Sequence, residues 1–282
     1  MVQRQLSYCA AEVRRHDPDR FLTALFAPRE RREGLFALYA FNLEVAKTRE
    51  VASEPLLGRI RLEWWRETVE AIYAGGAARR HAVALPLADL IQRGRLTRAH
   101  FDRLIEAREQ DFEEVPPADL AALESYAAGI SASLVALALE TLGLRGEAAT
   151  AAANSLGVGW ALAGLLRAVP FHARQRRLYL PGDLMAAAGV DGGDLFECRS
   201  TRGLATVVSR IAERAELHLA ELRRQREALP RSAVPALLPA VLARAHLAAL
   251  RRAGYDPFAL KERRKHPLDT LRVAAAALSG RY

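Results

Sequence analysis

Carboxylates spaced three or four residues apart are the first side chains in this sequence that could support chemistry. Such a spacing places both carboxylates on one face of a helix, where their oxygens can bind Mg²⁺ and the ion can in turn bind a substrate phosphate. The pairs are Glu63 with Glu67, Glu109 with Glu113, and Glu213 with Glu216. Arginine adjoins or interrupts each pair, so we favour surface ion pairs over a metal site for all three.

The histidines and cysteines predict no metal or redox centre. The seven histidines lie far apart in the sequence and form no HExxH motif. Cys9 and Cys198 are the only two cysteines, and they form no CxxC pair. The sequence also lacks a P-loop and a GxSxG motif, so it supports neither the NTPase class nor the common hydrolase class.

Two further segments could bind a ligand. The glycines at 157, 159 and 164 do not fit a dinucleotide fingerprint, because the third is misplaced and no strand precedes them. Small residues there are equally consistent with close helix packing and with a long apolar ligand. The segment 169–200 is predicted to be non-helical and carries a basic run at 174–177, which could bind phosphate or lie in solvent.

Composition narrows the class of protein. The chain has 282 residues, of which 51% are hydrophobic and 26% charged, as in ordinary folded proteins. Its 41 Lys and Arg against 33 Asp and Glu give a net charge of +8, which suits anionic partners, although a solvated basic surface is the simpler interpretation. Charged residues interrupt the apolar runs, and residues 1–20 do not resemble a targeting signal, so we expect no membrane span and a cytoplasmic location.

Apolar residues recur with the period of an α-helix through most of the chain, and no alternating strand pattern occurs. Helices are predicted at about 29–49, 55–74, 84–93, 97–112, 118–143, 147–168, 203–228 and 233–252. No linker or repeat divides the sequence. We therefore predict an all-α fold of about eight to ten helices in a single domain that covers residues 1–282.

Several segments closely resemble the squalene/phytoene synthase family, in the order in which they occur there. They are Arg20 to Pro28, Arg31 to Phe41, Leu62 to Arg66, Ile72 to Gly75, and Arg177 to Pro181. The resemblance implies a single-domain helical bundle of the isoprenoid-synthase type around a central cavity. Enzymes of this family join two prenyl diphosphates head to head, with Mg²⁺ held by two Asp-rich helical motifs.

The sequence departs from the family pattern at both Asp-rich motifs. The first reads Ala46 to Glu50, with one carboxylate and two cations, and the second keeps Arg167 but has Ala168 and His172 at its aspartate positions. Loss of several carboxylates should weaken Mg²⁺ binding strongly, so we expect no cofactor. A working transferase would need Mg²⁺ on substitute ligands, and the candidates for that role are Glu44, Glu50 and Asp111.

The resemblance also implies a ligand-binding site. Its apolar wall would be formed by Tyr39, Phe41, Leu162 and Leu166, and its anion-binding mouth by Arg167, Arg177 and Tyr179. The ligand would be an isoprenoid diphosphate or a lipid.

The segment Leu166 to His172 is most similar to a catalytically degenerate branch of the family, whose members assist the assembly of respiratory complex I and have bacterial relatives. We therefore expect a non-catalytic bacterial protein that binds a complex I subunit or assembly intermediate and contacts an acidic membrane surface peripherally at the inner membrane. The alternative is a Mg²⁺-dependent head-to-head prenyl diphosphate transferase. Nucleic acid has only the basic charge in its favour and is not an expected partner.

Overall fold

The computed structural model describes residues 6–51, 54–113, 115–260 and 267–282, and every regular element within these ranges is helical. The first eight α-helices are α1 (Tyr8–His16), α2 (Pro18–Ala24), α3 (Arg29–Ala46), α4 (Thr48–Val51), α5 (Pro55–Tyr73), α6 (Ala84–Gly94), α7 (Arg98–Ala107) and α8 (Leu120–Ala127). The other eight are α9 (Ser133–Thr141), α10 (Glu147–Arg174), α11 (Gly182–Ala187), α12 (Gly192–Phe196), α13 (Arg202–Arg224), α14 (Val234–Leu237), α15 (Pro239–Arg252) and α16 (Pro267–Ser279). The all-α fold predicted from the sequence is confirmed, but the described ranges contain sixteen α-helices, several of only four or five residues, where about eight to ten were predicted.

Helix starts follow from capping side chains that the sequence supplies. Ser7 accepts a hydrogen bond from the backbone N–H of Ala10 at the start of α1, and Asp17 accepts one from Arg20 at the start of α2. Thr201 caps α13 in the same way. These side chains satisfy N–H groups that have no partner within the first turn of a helix.

Helix α10 is the central element of the bundle. It packs against α8, α9, α13 and α15, and most of its residues between 152 and 163 are buried. Buried side chains from α1 to α16 form one connected core. Within it, Phe41 is enclosed by the rings of Trp65 and Phe101, at centroid distances of 5.2 and 5.4 Å.

The sequence prediction that residues 169–200 form a long non-helical segment is wrong in part. Helix α10 continues through Pro170 to Arg174, and two short helices, α11 and α12, follow. A proline within a helix removes one backbone hydrogen bond and costs about 3 kcal/mol. The helix continues because Val169 and Ala173, on either side of the proline, are both buried against the core.

The expectation that no segment has the composition of a membrane span is also corrected. By length and composition alone, Leu120–Thr141 and Glu147–Arg174 could cross a membrane, and a third candidate arises if the bent pair Arg231–Leu237 and Pro239–Arg252 is counted as one span. In Leu120–Thr141 and in Glu147–Arg174, 67% of the most apolar stretch of 18 residues is buried inside the protein. Their apolar side chains pack against neighbouring helices of the bundle.

Gly157 on α10 lies against the turn of π-helix at Ala128–Ala132 that joins α8 to α9. A Cβ at Gly157 would lie 2.3 Å from Ala132 Cα and 2.4 Å from its backbone nitrogen. Side chains cannot approach a backbone this closely, so the two helical segments would have to move apart.

We predict that Gly157→Ala destabilises the protein by about 1–3 kcal/mol, because overpacking forces a backbone shift. Gly164→Ala in the same helix is the matched control, since no atom lies within 4 Å of its new Cβ. That control should be neutral or stabilising by about 0.5–1 kcal/mol, because alanine favours helix more than glycine does. Urea unfolding measures both variants, and equal effects of the two substitutions would contradict this account of the contact.

Candidate functional site

The first degenerate motif lies where α3 ends and the chain turns into α4. The Lys47 ammonium lies 3.6 Å from the Glu12 carboxylate on α1. The Thr48 hydroxyl donates a hydrogen bond of 2.7 Å to the carbonyl of Val45, which closes the end of the helix. Glu50, the one carboxylate left in this motif, is exposed on α4.

The second degenerate motif occupies the last turns of α10. Arg167 is exposed and donates to the carboxylate of Asp19 at 2.9 Å, so its charge is already paired. His172 lies one turn further on, with its ring 4.4 Å from that of Tyr179. Burial, together with the charge of Arg177, lowers the pKa of His172 to about 4, so the imidazole is neutral near pH 7.

A cleft of about 550 Å³ opens beside these two motifs. We call it the tyrosine cleft and define it by Arg49, Asp111, Tyr126, Arg177 and Tyr179, all of which line it. Asp111 lies on the short 3₁₀ helix Arg108–Phe112, and Tyr179 lies after the end of α10. Residues distant in sequence therefore meet here because α10 and α8 pack side by side.

Asp111 is the centre of a hydrogen-bond network in this cleft. Its Oδ1 accepts from the hydroxyls of Tyr126, at 2.5 Å, and Tyr179, at 3.1 Å. Its Oδ2 accepts from the Arg108 guanidinium at 3.2 Å. Only 5% of the Asp111 side chain is exposed, so these three donors replace the water that a carboxylate would otherwise bind.

The network sets the charge of its members. Burial, and then the Asp111 carboxylate, raises the pKa of Tyr126 and of Tyr179, so both remain protonated donors. Burial alone would lower the pKa of Arg108, but its tyrosine neighbour and Asp111 outweigh this and the pKa is raised. The cluster therefore contains one cation and one anion, which compensate each other.

An arginine connects the segment that follows α10 to the first degenerate motif. The Arg177 guanidinium lies 3.5 Å from the carbonyl oxygen of Arg49, which belongs to the first motif. The Arg49 guanidinium lies over the Phe112 ring, 6.0 Å from its centroid. Two cations and a neutral histidine thus stand near the positions that carry aspartates in the family pattern.

These residues do not fit a resident Mg²⁺ ion. Magnesium requires several carboxylate or other oxygen ligands in a near-octahedral arrangement, and Lys47, Arg49 and His172 supply none. Asp111 already accepts three hydrogen bonds. Across the described ranges, no group of three or more His, Cys, Asp or Glu side chains is placed to hold a metal ion.

The carboxylate pairs identified in the sequence form ion pairs with arginine, and the surface interpretation is confirmed for them. Arg66 contacts both Glu63 and Glu109. The remaining contacts are Glu67 with Arg79, Glu113 with Arg59, Glu213 with Arg210, and Glu216 with Arg251. Each carboxylate already has a cationic neighbour.

A second, larger cleft of about 1000 Å³ lies between α2, α10 and α15. We call it the N-terminal cleft and define it by Asp17, Asp19, Arg20, Trp160 and Arg167, which line it. Arg20 pairs with Asp17 at 2.7 Å, and Arg167 pairs with Asp19. Both guanidiniums also lie over the Trp160 ring, at 5.5 and 5.9 Å from its centroid.

The structure distributes the predicted ligand-binding residues over several places. Arg177 and Tyr179 share the tyrosine cleft with Asp111, while Leu166 and Arg167 border the N-terminal cleft. Tyr39 lies beneath Arg20, whose guanidinium is 5.8 Å from its ring centroid, and burial raises the Tyr39 pKa to about 12.

The other predicted residues lie apart from both clefts. Phe41 and Leu162 are fully buried in the core. Glu44 is near α1, where burial first, and then Glu12 and Glu44, raises the pKa of Tyr8. The proposed substitute ligands Glu44, Glu50 and Asp111 thus have three different surroundings.

Sequence reasoning missed Arg108 and Tyr126, the buried partners of Asp111. Arg108 precedes Asp111 by three residues, a spacing that could have revealed the pair. Tyr126 follows by fifteen residues in another helix, so no local pattern indicates that contact. Sequence reasoning also missed Asp17 and Asp19, the acidic partners of Arg20 and Arg167. Their negative charge opposes anion binding by these two arginines.

The profile of the family described as Squalene/phytoene synthase matches residues 13–272. The chain belongs to the squalene/phytoene synthase family. A solved member, described as a dehydrosqualene synthase in complex with ligand, superposes with a TM-score of 0.82 at 18% identity, over 97% of this chain and 95% of that one. The isoprenoid-synthase fold expected from the sequence is thereby confirmed.

Two similar proteins are informative. The Bos taurus protein named "NADH dehydrogenase (ubiquinone) complex I, assembly factor 6" is 32% identical over 275 residues, which cover 98% of this chain and 82% of the relative. The presqualene diphosphate synthase of Sinorhizobium fredii is 26% identical over 230 residues, which cover 79% of this chain and 78% of the enzyme. The resemblance to the branch of assembly factors is confirmed.

We predict that stability falls in mild acid because His172 is neutral in the fold. Its pKa is about 4 when folded against 6.5 for an unperturbed histidine, so the unfolded chain binds more protons between these values. The contribution is fully present above pH 6.5 and is lost as pH falls towards 4, by up to about 3 kcal/mol. Urea unfolding from pH 7 to pH 4 should show a shallower decline for His172→Gln, and parallel curves would refute the assignment.

We predict that Asp111→Ala destabilises the protein by about 3–5 kcal/mol, because it leaves Arg108 as an uncompensated buried charge and removes the acceptor of two tyrosines. Asp89→Ala is the control, since Asp89 pairs with Arg93 at 2.6 Å on the surface, where such pairs contribute less than about 1 kcal/mol. Thermal and urea unfolding measure both variants. A loss at Asp111 no larger than at Asp89 would show that the network does not stabilise the fold.

Proposed function

We propose that this chain is a non-catalytic assembly factor for respiratory complex I. The observation that carries the proposal is its 32% identity, over 98% of the chain, to a protein named for that role. Similarity to a presqualene diphosphate synthase is lower in identity and in coverage. The direct partner would be a complex I subunit or an assembly intermediate.

The chemistry of the two motifs supports a non-catalytic role. Prenyl transfer in this family depends on metal ions that neutralise the departing diphosphate. In this chain the motif positions hold Lys47, Arg49 and His172, which are unsuited to Mg²⁺. The scaffold would then serve to present surfaces and clefts to partners, in the manner of a pseudoenzyme.

A lipid or isoprenoid diphosphate remains a candidate ligand within this proposal. The tyrosine cleft has room for part of such a molecule, and Arg176 and Arg177 line it together with Arg49. Guanidiniums bind phosphate oxygens with charge-assisted hydrogen bonds. In the N-terminal cleft, by contrast, Asp17 and Asp19 pair with the arginines and oppose an anionic ligand. We place the protein in a bacterial cytoplasm, at the periphery of the inner membrane.

The alternative function, a Mg²⁺-dependent head-to-head prenyl transferase, is favoured by family membership and by the similarity to presqualene diphosphate synthase. It would require Glu44, Glu50 and Asp111 to act as substitute ligands. Asp111 is engaged with Tyr126, Tyr179 and Arg108, and would have to exchange these contacts for the ion.

We predict that deletion of the gene lowers the amount of assembled complex I and the NADH oxidation of membranes by severalfold. Succinate oxidation in the same membranes is the control, because it does not pass through complex I. Complementation with the wild-type gene should restore NADH oxidation. Unchanged complex I in the deletion strain would refute the proposed function.

Glu50→Ala separates the proposed function from the alternative. Glu50 is exposed and is the only carboxylate remaining in the first motif, so a transferase should lose activity without it. We expect this variant to support complex I assembly as well as the wild type. Purified protein should also release no diphosphate from farnesyl diphosphate with Mg²⁺. Turnover that Glu50→Ala abolishes would establish the transferase instead.

A further inference from the structure

The positive charge of this protein is concentrated in its last quarter. Residues 222–282 contain 13 Lys and Arg against 4 Asp and Glu, a formal charge of +9. The 221 residues before them contain 28 against 29, a formal charge of −1. The whole net charge of +8 therefore comes from the C-terminal segment, which includes α15 and α16.

The fold gathers part of this charge into a cleft between α13, α15 and α16. The cleft has a volume of about 760 Å³, and five arginines line it around a floor of small apolar residues. We call it the arginine cleft and define it by these arginines, which are Arg223, Arg226, Arg244, Arg272 and Arg281. The floor is formed by Val241, Ala245, Ala275 and Ala276.

Carboxylates compensate this charge only in part. Arg272 pairs with Asp269 at 3.1 Å. Among the described residues, Arg223, Arg226 and Arg281 have no ion pair with a carboxylate, and all three are exposed. Within the described part of the chain, exposed arginines without a carboxylate ion pair also occur elsewhere, as at Arg61, Arg80 and Arg103, but here three of them line one cleft, which therefore presents a positive potential to solvent.

Arg244 at the base of the cleft is held in place by the backbone. Its Nη2 donates to the carbonyl of Leu219 at 2.7 Å, and the side chain is half-buried. Burial, and then the charge of Arg223, lowers the pKa of Arg244. The guanidiniums thus repel one another, and an anion between them would relieve this repulsion.

Large apolar side chains project from the same helix. Leu271 is 64% exposed and Leu278 is 79% exposed, seven residues apart and therefore on one face of α16. Val273 and Ala276, on the opposite face, are buried against the bundle. Helix α16 thus presents leucines outward and an arginine, Arg272, beside them.

We propose that the arginine cleft, with Leu271 and Leu278, is a docking surface for an anionic phospholipid bilayer. A bilayer interface accepts aliphatic side chains between its acyl chains and guanidiniums at its phosphates, and it needs no shape complementary to a projecting helix. Nucleic acid would use the arginines but not the exposed leucines. Among the described residues, the one aromatic side chain that lines the cleft is Tyr282, which is only 5% exposed and unsuited to base stacking. The inference rests on the membrane contact in the proposed function and names the surface that makes this contact. It does not require that the protein assist complex I assembly.

Vesicle sedimentation tests the surface directly. Purified full-length protein is mixed with vesicles of phosphatidylcholine alone, or with roughly one third phosphatidylglycerol. We expect binding only to the anionic vesicles, weakened at high salt because the attraction is electrostatic. The triple variant Arg223→Glu, Arg226→Glu and Arg281→Glu should lower the vesicle partition coefficient by roughly tenfold or more.

Two further variants make the result specific. The matched control Arg61→Glu, Arg80→Glu and Arg103→Glu changes the net charge equally at three exposed arginines elsewhere, and should bind nearly as wild type. Leu271→Ser with Leu278→Ser should reduce binding that survives high salt. Circular dichroism confirms that each variant is folded.

Several outcomes would overturn the proposal. They are absence of binding to anionic vesicles, equal binding to neutral vesicles, an equal loss in the control variant, or binding to RNA in preference to vesicles. Membrane binding without any effect of gene deletion on complex I would retain this surface and reject the proposed function. The reverse result would reject the surface alone.

Discussion

The bundle depends on one close contact, that of α10 with the turn of π-helix between α8 and α9. Gly157 leaves no room for a side chain there, so the backbone of α10 lies directly on Ala132. The helices α8, α9, α13 and α15 pack against α10, and this contact therefore sets the spacing of that part of the core. The sequence pattern of small residues in the middle of α10 was consistent with close helix packing and with a long apolar ligand. In the structure these residues serve helix packing.

The same helix positions the chemistry at its far end. Because α10 is anchored in the core, the backbone at positions 167 and 172 is held in place on its last turns. This holds whatever side chains occupy the two positions. Aspartate positions can thus become alanine or histidine without loss of the fold. The charges at this end of α10 are compensated, since His172, which replaces an aspartate, is neutral, and the retained Arg167 is paired with Asp19.

Local patterns in the sequence were sufficient for the long helices. The periodicity of α3 and α5 depends on apolar residues a few positions apart, and their predicted ranges agree with the structure. The continuation of α10 past Pro170 depends on burial against other helices, which a local pattern does not contain. Likewise, Tyr126 and Tyr179 reach Asp111 from two other segments, so the site could be predicted only in part.

The uneven distribution of charge has a consequence for motion in solution. The last 61 residues carry a formal charge of +9 and the remainder −1, and five of those arginines surround one cleft, so the positive charge is off-centre. Near any negatively charged surface, the field exerts a torque that turns α16 and the arginine cleft towards that surface before contact. Encounters would then begin in one orientation, which shortens the rotational search that usually limits association.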